Sequence, residues 1–162
     1  MDNISGHRRL LGLTLAGLQG VASEVGLPGF AAKQMAQWLY DKRVCTIGEM
    51  TNLPKAARAR LADAGWTVGR ERPKAEQRSA DGTVKFLFEG RGGRDVEAVY
   101  IPDRERATLC VSSQAGCRMA CSFCMTGRQG FHGNLDAADI INQVLSIPQS
   151  GSLTNIVFMG MG

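Results

Sequence analysis

Three cysteines, Cys117, Cys121 and Cys124, lie in the run Gly116-Cys-Arg-Met-Ala-Cys-Ser-Phe-Cys-Met125. They are separated by three residues and then by two, with Phe123 just before the last. Cysteines this close in one loop do not suit a disulfide, which needs a specific Cα and Cβ geometry. They suit a metal centre gripped by a single loop. Three thiolates can ligate three irons of a [4Fe-4S] cube and leave the fourth iron open to a substrate or cofactor. A zinc knuckle is the competing use, with Cys110 or His132 as fourth ligand, and Cys121-x2-Cys124 alone would fit it. Phe123, the strand before the loop and the glycine-rich turn downstream weigh toward the cluster.

Four further residues could take part in chemistry. Gly160-Met161-Gly162 offers backbone groups that a side chain would obstruct. Glu97 alternates with Val99 and Ile101 on one face of an expected strand, where a carboxylate is costly unless paired or used. Cys110 lies seven residues before Cys117 in a strand, the usual place of a small buried hydrophobe. Cys45 reads as a core residue, and His7 and His132 have no evident partner.

The elements that must position these residues follow from periodicity. Residues 10–65 read as short helices. Thr14 is an N-cap for a helix running toward Gly26, and Leu27-Pro28-Gly29 is a break. Ala31, Met35, Trp38 and Leu39 recur at helical spacing and point to a core. Asn52 and Pro54 open a helix that ends at Gly65, with Ala57, Leu61 and Ala64 inward and Arg58 and Arg60 outward. After Gly65 the segments 66–72, 83–89 and 96–101 alternate like strands. Asp81-Gly82 is a turn between two of them and Gly90–Gly93 a loop. A strand over 106–113 delivers the chain into the cysteine loop. Asn134 or Asp136 then starts a helix carrying Ala137, Ile140, Ile141, Val144 and Leu145 on one side, ending at Pro148. Residues 155–159 read as an apolar strand buried on both faces of a parallel sheet.

Strand, cysteine loop, helix, strand and glycine turn make one βαβ unit, with its ligand-binding groups beyond the carboxyl ends of the strands. We expect a helical accessory domain over 1–65, a β-hairpin extension over 66–105 and the first βαβ unit of a barrel over 106–162. A unit that stops after its second parallel strand is expected to be the N-terminal part of a longer protein.

The 162 residues are 44% hydrophobic and 21% charged, so a packed core is expected. No apolar run approaches the roughly 20 residues that span a bilayer, and no signal peptide is visible. Five cysteines, three of them clustered, suit a reducing cytoplasm. The net charge of +4 lies wholly in residues 1–106, which carry 17 Lys and Arg against 13 Asp and Glu. It is densest from Lys55 to Arg78, where seven bases face Asp63, Glu71 and Glu76. Such a surface suits a polyanion such as RNA, and a solvated face is its plainer use.

The motif C-x3-C-x2-C after a first strand resembles that of the radical S-adenosylmethionine (SAM) superfamily. The resemblance is closer to the RlmN family. It is carried by Val99-Tyr-Ile-Pro102, Thr108-Leu-Cys-Val-Ser-Ser-Gln-Ala-Gly-Cys117, Cys121-Ser-Phe-Cys124, Gln129-Gly-Phe131, Asn134-Leu135 and Phe158-Met-Gly-Met-Gly162. Trp38-Leu39-Tyr40 and Met50-Thr-Asn-Leu53 are similar to that family's N-terminal accessory domain. The chain departs from the family pattern at Met125, at Gly127-Arg128 and around Pro28-Gly29-Phe30, and these changes leave the three cysteines intact.

The resemblance implies an α+β accessory N-terminal domain followed by the start of a partial (β/α)6, TIM-like radical SAM barrel, truncated after its first βαβ unit. It implies a methyltransferase acting on C2 of adenine in 23S ribosomal RNA and tRNA through a methyl-cysteine intermediate, with the fragment itself inactive. The related Cfr type acts on adenine C8 with the same cysteines, and Gln129-Gly130-Phe131 favours the C2 type. The third alternative is a non-catalytic zinc-knuckle module that binds RNA.

By the same resemblance, Cys117, Cys121 and Cys124 would hold the [4Fe-4S] cluster, whose open iron chelates SAM. One electron then breaks the sulfonium bond to give a 5′-deoxyadenosyl radical. Gly160 and Gly162 would bind the cofactor. Glu97 would be a base or a contact to the adenine. Cys110 would resolve the RNA adduct and end in a disulfide with a C-terminal cysteine absent from these residues. A flavodoxin or ferredoxin would donate electrons to a monomeric, cytoplasmic enzyme.

Overall fold

A computed structural model describes residues 8–90 and 93–162. His7, and Arg91 and Gly92 of the expected 90–93 loop, lie outside the described residues. The chain divides between Arg70 and Glu71 into two compact units.

The first unit is helical, with a two-stranded parallel ribbon. Its elements are β1 (Arg8–Arg9), α1 (Leu15–Glu24), α2 (Ala31–Ala36), a π-helical turn (Gln37–Asp41), a 3-10 turn (Ile47–Glu49), α3 (Lys55–Asp63) and β2 (Trp66–Thr67). The Thr14 hydroxyl accepts the Gly17 N–H at 3.2 Å and opens α1. Gly26, at φ +66°, stands just past its end. Leu10, Leu18, Met35, Leu39, Met50, Leu53, Leu61 and Trp66 form the core, with Trp38 and Tyr40 packed against it. The Tyr40 hydroxyl donates to Leu13 O at 2.9 Å and accepts from the Gly12 N–H at 3.1 Å, so this polar tip is satisfied where the ring is packed.

Two expectations for this region need correction. The strand expected over 66–72 is only Trp66–Thr67, because Gly69 turns the chain at φ +79° and Pro73 follows. Cys45 is exposed and not a core residue.

The second unit holds β3 (Ala75–Arg78), β4 (Val84–Glu89), β5 (Asp95–Asp103), β6 (Arg106–Cys110), β7 (Gln114–Gly116), α4 (Met125–Arg128), β8 (Phe131–Asn134), α5 (Ala137–Leu145), a second 3-10 turn (Pro148–Ser152) and β9 (Asn155–Val157). Its sheet has the order β3-β4-β5-β6-β9. The first three pairings are antiparallel and β6–β9 is parallel. The expected Asp81-Gly82 turn joins β3 to β4, with Gly82 at φ +86° and its N–H bonded to Ser79 O. The expected βαβ connection is β6, α5 and β9.

Alternation decides the two faces of the sheet. Val84, Phe86 and Phe88 of β4, Ala98 of β5 and Leu109 of β6 form a core with Val111 and Ile147, against which Ile140 and Val144 of α5 pack. Helix α5 starts at Asp136 rather than Asn134. The Asp136 carboxylate accepts the Asp139 N–H at 2.9 Å and Asp139 returns the bond at 3.2 Å, a reciprocal capping box. Ala137 is exposed, and Ala138 takes the inward place. The strand expected to be buried on both faces is instead open: Ile156, Phe158 and Met159 are exposed, and β9 has β6 as its one ladder partner among the described residues. An apolar run specifies a strand that can be covered, not the element that covers it.

Candidate active site

Strand β6 ends at Cys110, and the site begins there. The β5–β6 register sets Cys110 opposite Val99. Glu97 lies two residues along β5 from Val99, so Glu97 and Cys110 share one face of the sheet as diagonal neighbours. It is the face opposite α5. Cys110 is buried and its thiol is free. Glu97 is half-buried, and its carboxylate accepts from the Lys85 ammonium at 3.1 Å. The pair is partly open to solvent, so its charges are stabilised by water as well as by each other. Nothing in the local sequence singles out Lys85. Its place on β4, a diagonal partner of Glu97 through Val99, is a matter of register alone.

Beyond β6 the chain runs alongside the glycine turn that follows β9. The Gly160 N–H donates to Val111 O at 3.2 Å, and the N–H groups of Ser113 and Gln114 both donate to Met161 O at 3.0 Å. Glycine is required at both ends of this turn. A Cβ on Gly160 would lie 2.5 Å from Ser112 Oγ and 2.8 Å from Val111 O. A Cβ on Gly162, which has φ +122°, would lie 2.6 Å from Ser113 Oγ. The turn is therefore packed edge-on against the segment that leads into the cysteine loop.

The loop itself is closed by backbone. Gly116 sits at φ +72° where a Cβ would meet Gly130 O at 1.9 Å, and the Cys117 N–H donates to that same oxygen at 3.1 Å. The short β7–β8 ribbon, which no sequence pattern announces, carries these two glycines together. Gly127 lets α4 approach the backbone of Cys121 to within 3.0 Å of its would-be Cβ. The Cys124 N–H donates to Cys121 O at 3.1 Å, and the Arg128 guanidinium donates to Ser122 O at 3.2 Å. Arg118 lies 4.5 Å over the Phe131 ring. Phe123 is 89% exposed at the tip.

Cys117, Cys121 and Cys124 are all reduced and partly accessible. The Gly127 N–H, followed by that of Thr126, holds the Cys124 thiol below its ordinary range, because both donors favour the thiolate. Among the described residues, no group of three or more His, Cys, Asp or Glu side chains stands placed to hold a metal ion. The three thiols share a loop but are not gathered. The donor set nevertheless fits a thiolate-bound cluster: three accessible thiols on one glycine-tied loop, with no carboxylate between them. The candidate fourth zinc ligands fit less well. Cys110 is locked in the sheet by two ladders. His132 Nε2 lies 2.8 Å from Gln129 O and 3.1 Å from the Arg94 guanidinium.

Two buried polar residues are not evident as site residues in the sequence. Ser112 is 0% exposed and Gln143 is 1% exposed. Gln143 has a signal: three residues after Ile140, it borders the apolar arc of its helix, where a buried carboxamide must find partners.

Comparison with known proteins bears on the whole chain. Residues 8–65 match the family model of the ribosomal RNA large subunit methyltransferase N-terminal domain, RlmN_N. A protein of Parabacteroides distasonis named "Probable dual-specificity RNA methyltransferase RlmN" is 59% identical over 96% of this chain and 45% of its own length. The "Dual-specificity RNA methyltransferase RlmN" of Halorhodospira halophila is 47% identical over 98% of this chain and 45% of its own. The crystal structure of a radical SAM methyltransferase from Sphaerobacter thermophilus superposes with a TM-score of 0.84 at 38% identity, over 95% of this chain and 47% of that one. The chain thus spans under half the length of the relatives it matches. With the N-terminal domain model matched, identity sustained across both units and the fold shared, the chain belongs to the RlmN family.

Proposed function

We propose that these residues form the N-terminal portion of a radical SAM methyltransferase that methylates C2 of adenine in 23S ribosomal RNA and tRNA. The observation that carries this reading is a convergence. The cysteine loop leaves the carboxyl end of β6, the glycine turn leaves the carboxyl end of the parallel strand β9, and backbone hydrogen bonds tie the two exits together. Parallel α/β folds hold ligands at that end of the sheet.

In this reading Cys117, Cys121 and Cys124 hold a [4Fe-4S] cluster, and the backbone of Gly160–Gly162 receives the amino-acid end of SAM. When bound, cluster and SAM supply the methyl group and the radical chemistry. The chain's own residues do the rest. Glu97 contacts the adenine or takes a proton, with Lys85 holding and orienting its carboxylate. Cys110, on the same face, serves as the thiol that helps release RNA from a methyl-cysteine elsewhere in the enzyme. The buried sheet position holds that thiol away from bulk water. The basic stretch from Lys55 to Arg78 holds RNA phosphates, and a flavodoxin-type or ferredoxin-type protein delivers electrons. No helix of the described residues is long and apolar enough to cross a membrane.

The test is anaerobic reconstitution of the full-length protein, metal and sulfide analysis, and mass spectrometry of nucleosides from treated RNA. Iron with acid-labile sulfide and 2-methyladenosine are expected. Zinc without sulfide would leave an RNA-binding module, and 8-methyladenosine would move the protein to the Cfr-like class.

A further inference from the structure

Ser112 occupies a junction that neither the cysteine motif nor the glycine turn explains. Its hydroxyl donates to Glu97 O at 2.6 Å and accepts from the Met161 N–H at 2.8 Å. One side chain thus bonds the backbone of the strand that carries Glu97 and the centre of the Gly160–Gly162 turn. Ser112 is itself clamped. Its N–H donates to Gln143 Oε1 at 2.9 Å, and Gln143 Nε2 donates to Ser112 O at 3.0 Å. Gln143 Nε2 also lies 3.3 Å from Asp139 O, one turn back on α5. The Gln143 carboxamide therefore takes the place of a neighbouring strand where the β5–β6 ladder has ended at Cys110.

Ser112, Gln143 and Met161 are buried, so removing a partner among them leaves a buried donor or acceptor unmatched. Such a network has a narrow choice of geometry. The small size of Gly160, whose Cβ would fall on Ser112 Oγ, shows how closely the turn is drawn onto this hydroxyl.

We infer that Ser112, held by Gln143, is a positioning residue that sets the Gly160–Gly162 turn in register with the Glu97 strand. The cofactor turn and the adenine-facing carboxylate then share one anchor, and Ser112 itself touches neither ligand. The inference rests on the reading of Gly160–Gly162 as the SAM turn.

The experiment uses full-length, iron-loaded protein with Ser112→Ala and Gln143→Glu. Three quantities are measured: hydrogen exchange of the peptide containing Met161 with and without SAM, SAM affinity, and SAM molecules cleaved per methyl group transferred. In the parent, SAM should slow exchange at this peptide. In Ser112→Ala, the unliganded peptide should exchange faster, SAM should bind about tenfold more weakly, and cleavage should exceed methyl transfer. Iron and sulfide content should match the parent, and Ser112→Thr, which keeps the hydroxyl, should restore the coupling. Gln143→Glu keeps an acceptor for the Ser112 N–H but loses the full clamp. Its second carboxylate oxygen faces the Ser112 and Asp139 carbonyls in a buried site, so it should move the same readouts in the same direction at least as far, and it decides the matter if Ser112→Ala does not fold. Parent-like exchange, affinity and coupling in the variants would overturn the positioning role. A parent whose Met161 peptide is indifferent to SAM would instead overturn the reading of the turn, and the inference with it.

Discussion

Cys117, Cys121 and Cys124 sit on the surface of one loop, whereas Cys110 is locked into a strand by Val99 on one side and Val157 on the other. The four thiols should therefore separate cleanly in an iron-retention assay. Replacing any of the first three by Ala should abolish iron binding in reconstituted protein, and Cys110→Ala should leave iron and sulfide at the parent level. Loss of iron in Cys110→Ala would remove the division of roles. A second residue-scale prediction concerns Glu49. The hydroxyl and then the N–H of Thr46 hold its carboxyl below the ordinary glutamate range, and the Cys45 N–H adds to them. A depressed folded-state value means stability that is present above the unfolded value and lost as pH falls through the folded one. Glu49→Gln, which mimics the protonated acid, should lower the melting temperature at neutral pH. The gap from the parent should close as pH falls below the ordinary glutamate range and through the depressed folded value. A gap that is constant with pH would show that the carboxylate charge contributes nothing.

At the scale of elements, the cysteine loop is shaped by a ribbon and a glycine rather than by its cysteines. β7 and β8 bring Gly116 against Gly130 so closely that a methyl group has no room. Gly116→Ala combines this clash with a left-handed backbone, a strain of order 1–3 kcal/mol before the clash is counted. It should disrupt iron loading as severely as removal of a ligand while leaving all five thiols of these residues countable by alkylation after denaturation. Normal iron content in Gly116→Ala would show that the loop tolerates another base. The ribbon was not legible in the sequence, because Gln114–Gly116 and Phe131–Asn134 are short, glycine-rich and without alternation. The helices and the Asp81-Gly82 hairpin were legible, because Thr14, Gly26, Asp136 and Gly82 act on their immediate neighbours.

For the whole molecule, the excess charge belongs to residues 1–106, and its arginines are not equivalent. Arg60 and Arg72 are exposed or partly so. Arg58 is not a free surface base: its guanidinium donates to Gly48 O at 2.5 Å, and its Nε is buried without a hydrogen-bond partner. RNA binding should therefore be tested with Arg60→Glu and Arg72→Glu, leaving Arg58 in place. For every phosphate that a variant no longer neutralises, the log–log salt dependence of RNA affinity should flatten by roughly 0.7–0.9. Iron content should be unchanged. Affinity and slope equal to the parent would make these arginines solvating residues only. The same chain presents Phe123, Ile156, Phe158 and Met159 to solvent, at the loop tip and along the open edge of the sheet.

The sequence by itself determined what depends on neighbours along the chain: the spacing of three thiols, the helix caps, the hairpin turn, the order of strand, loop, helix and strand, and the family resemblance. Local geometry carries those signals, since caps, turns and ligand spacings act over a few residues. Tertiary structure alone decided which distant groups meet. Lys85 reaches Glu97 only through the register of β4 on β5, and Glu97 shares a face with Cys110 only through that of β5 on β6. Ser112 gathers Glu97, Met161 and Gln143 from three elements across 15, 49 and 31 residues. A one-residue slip in either ladder would turn these side chains to the opposite face, and no local pattern around Ser112 encodes that register.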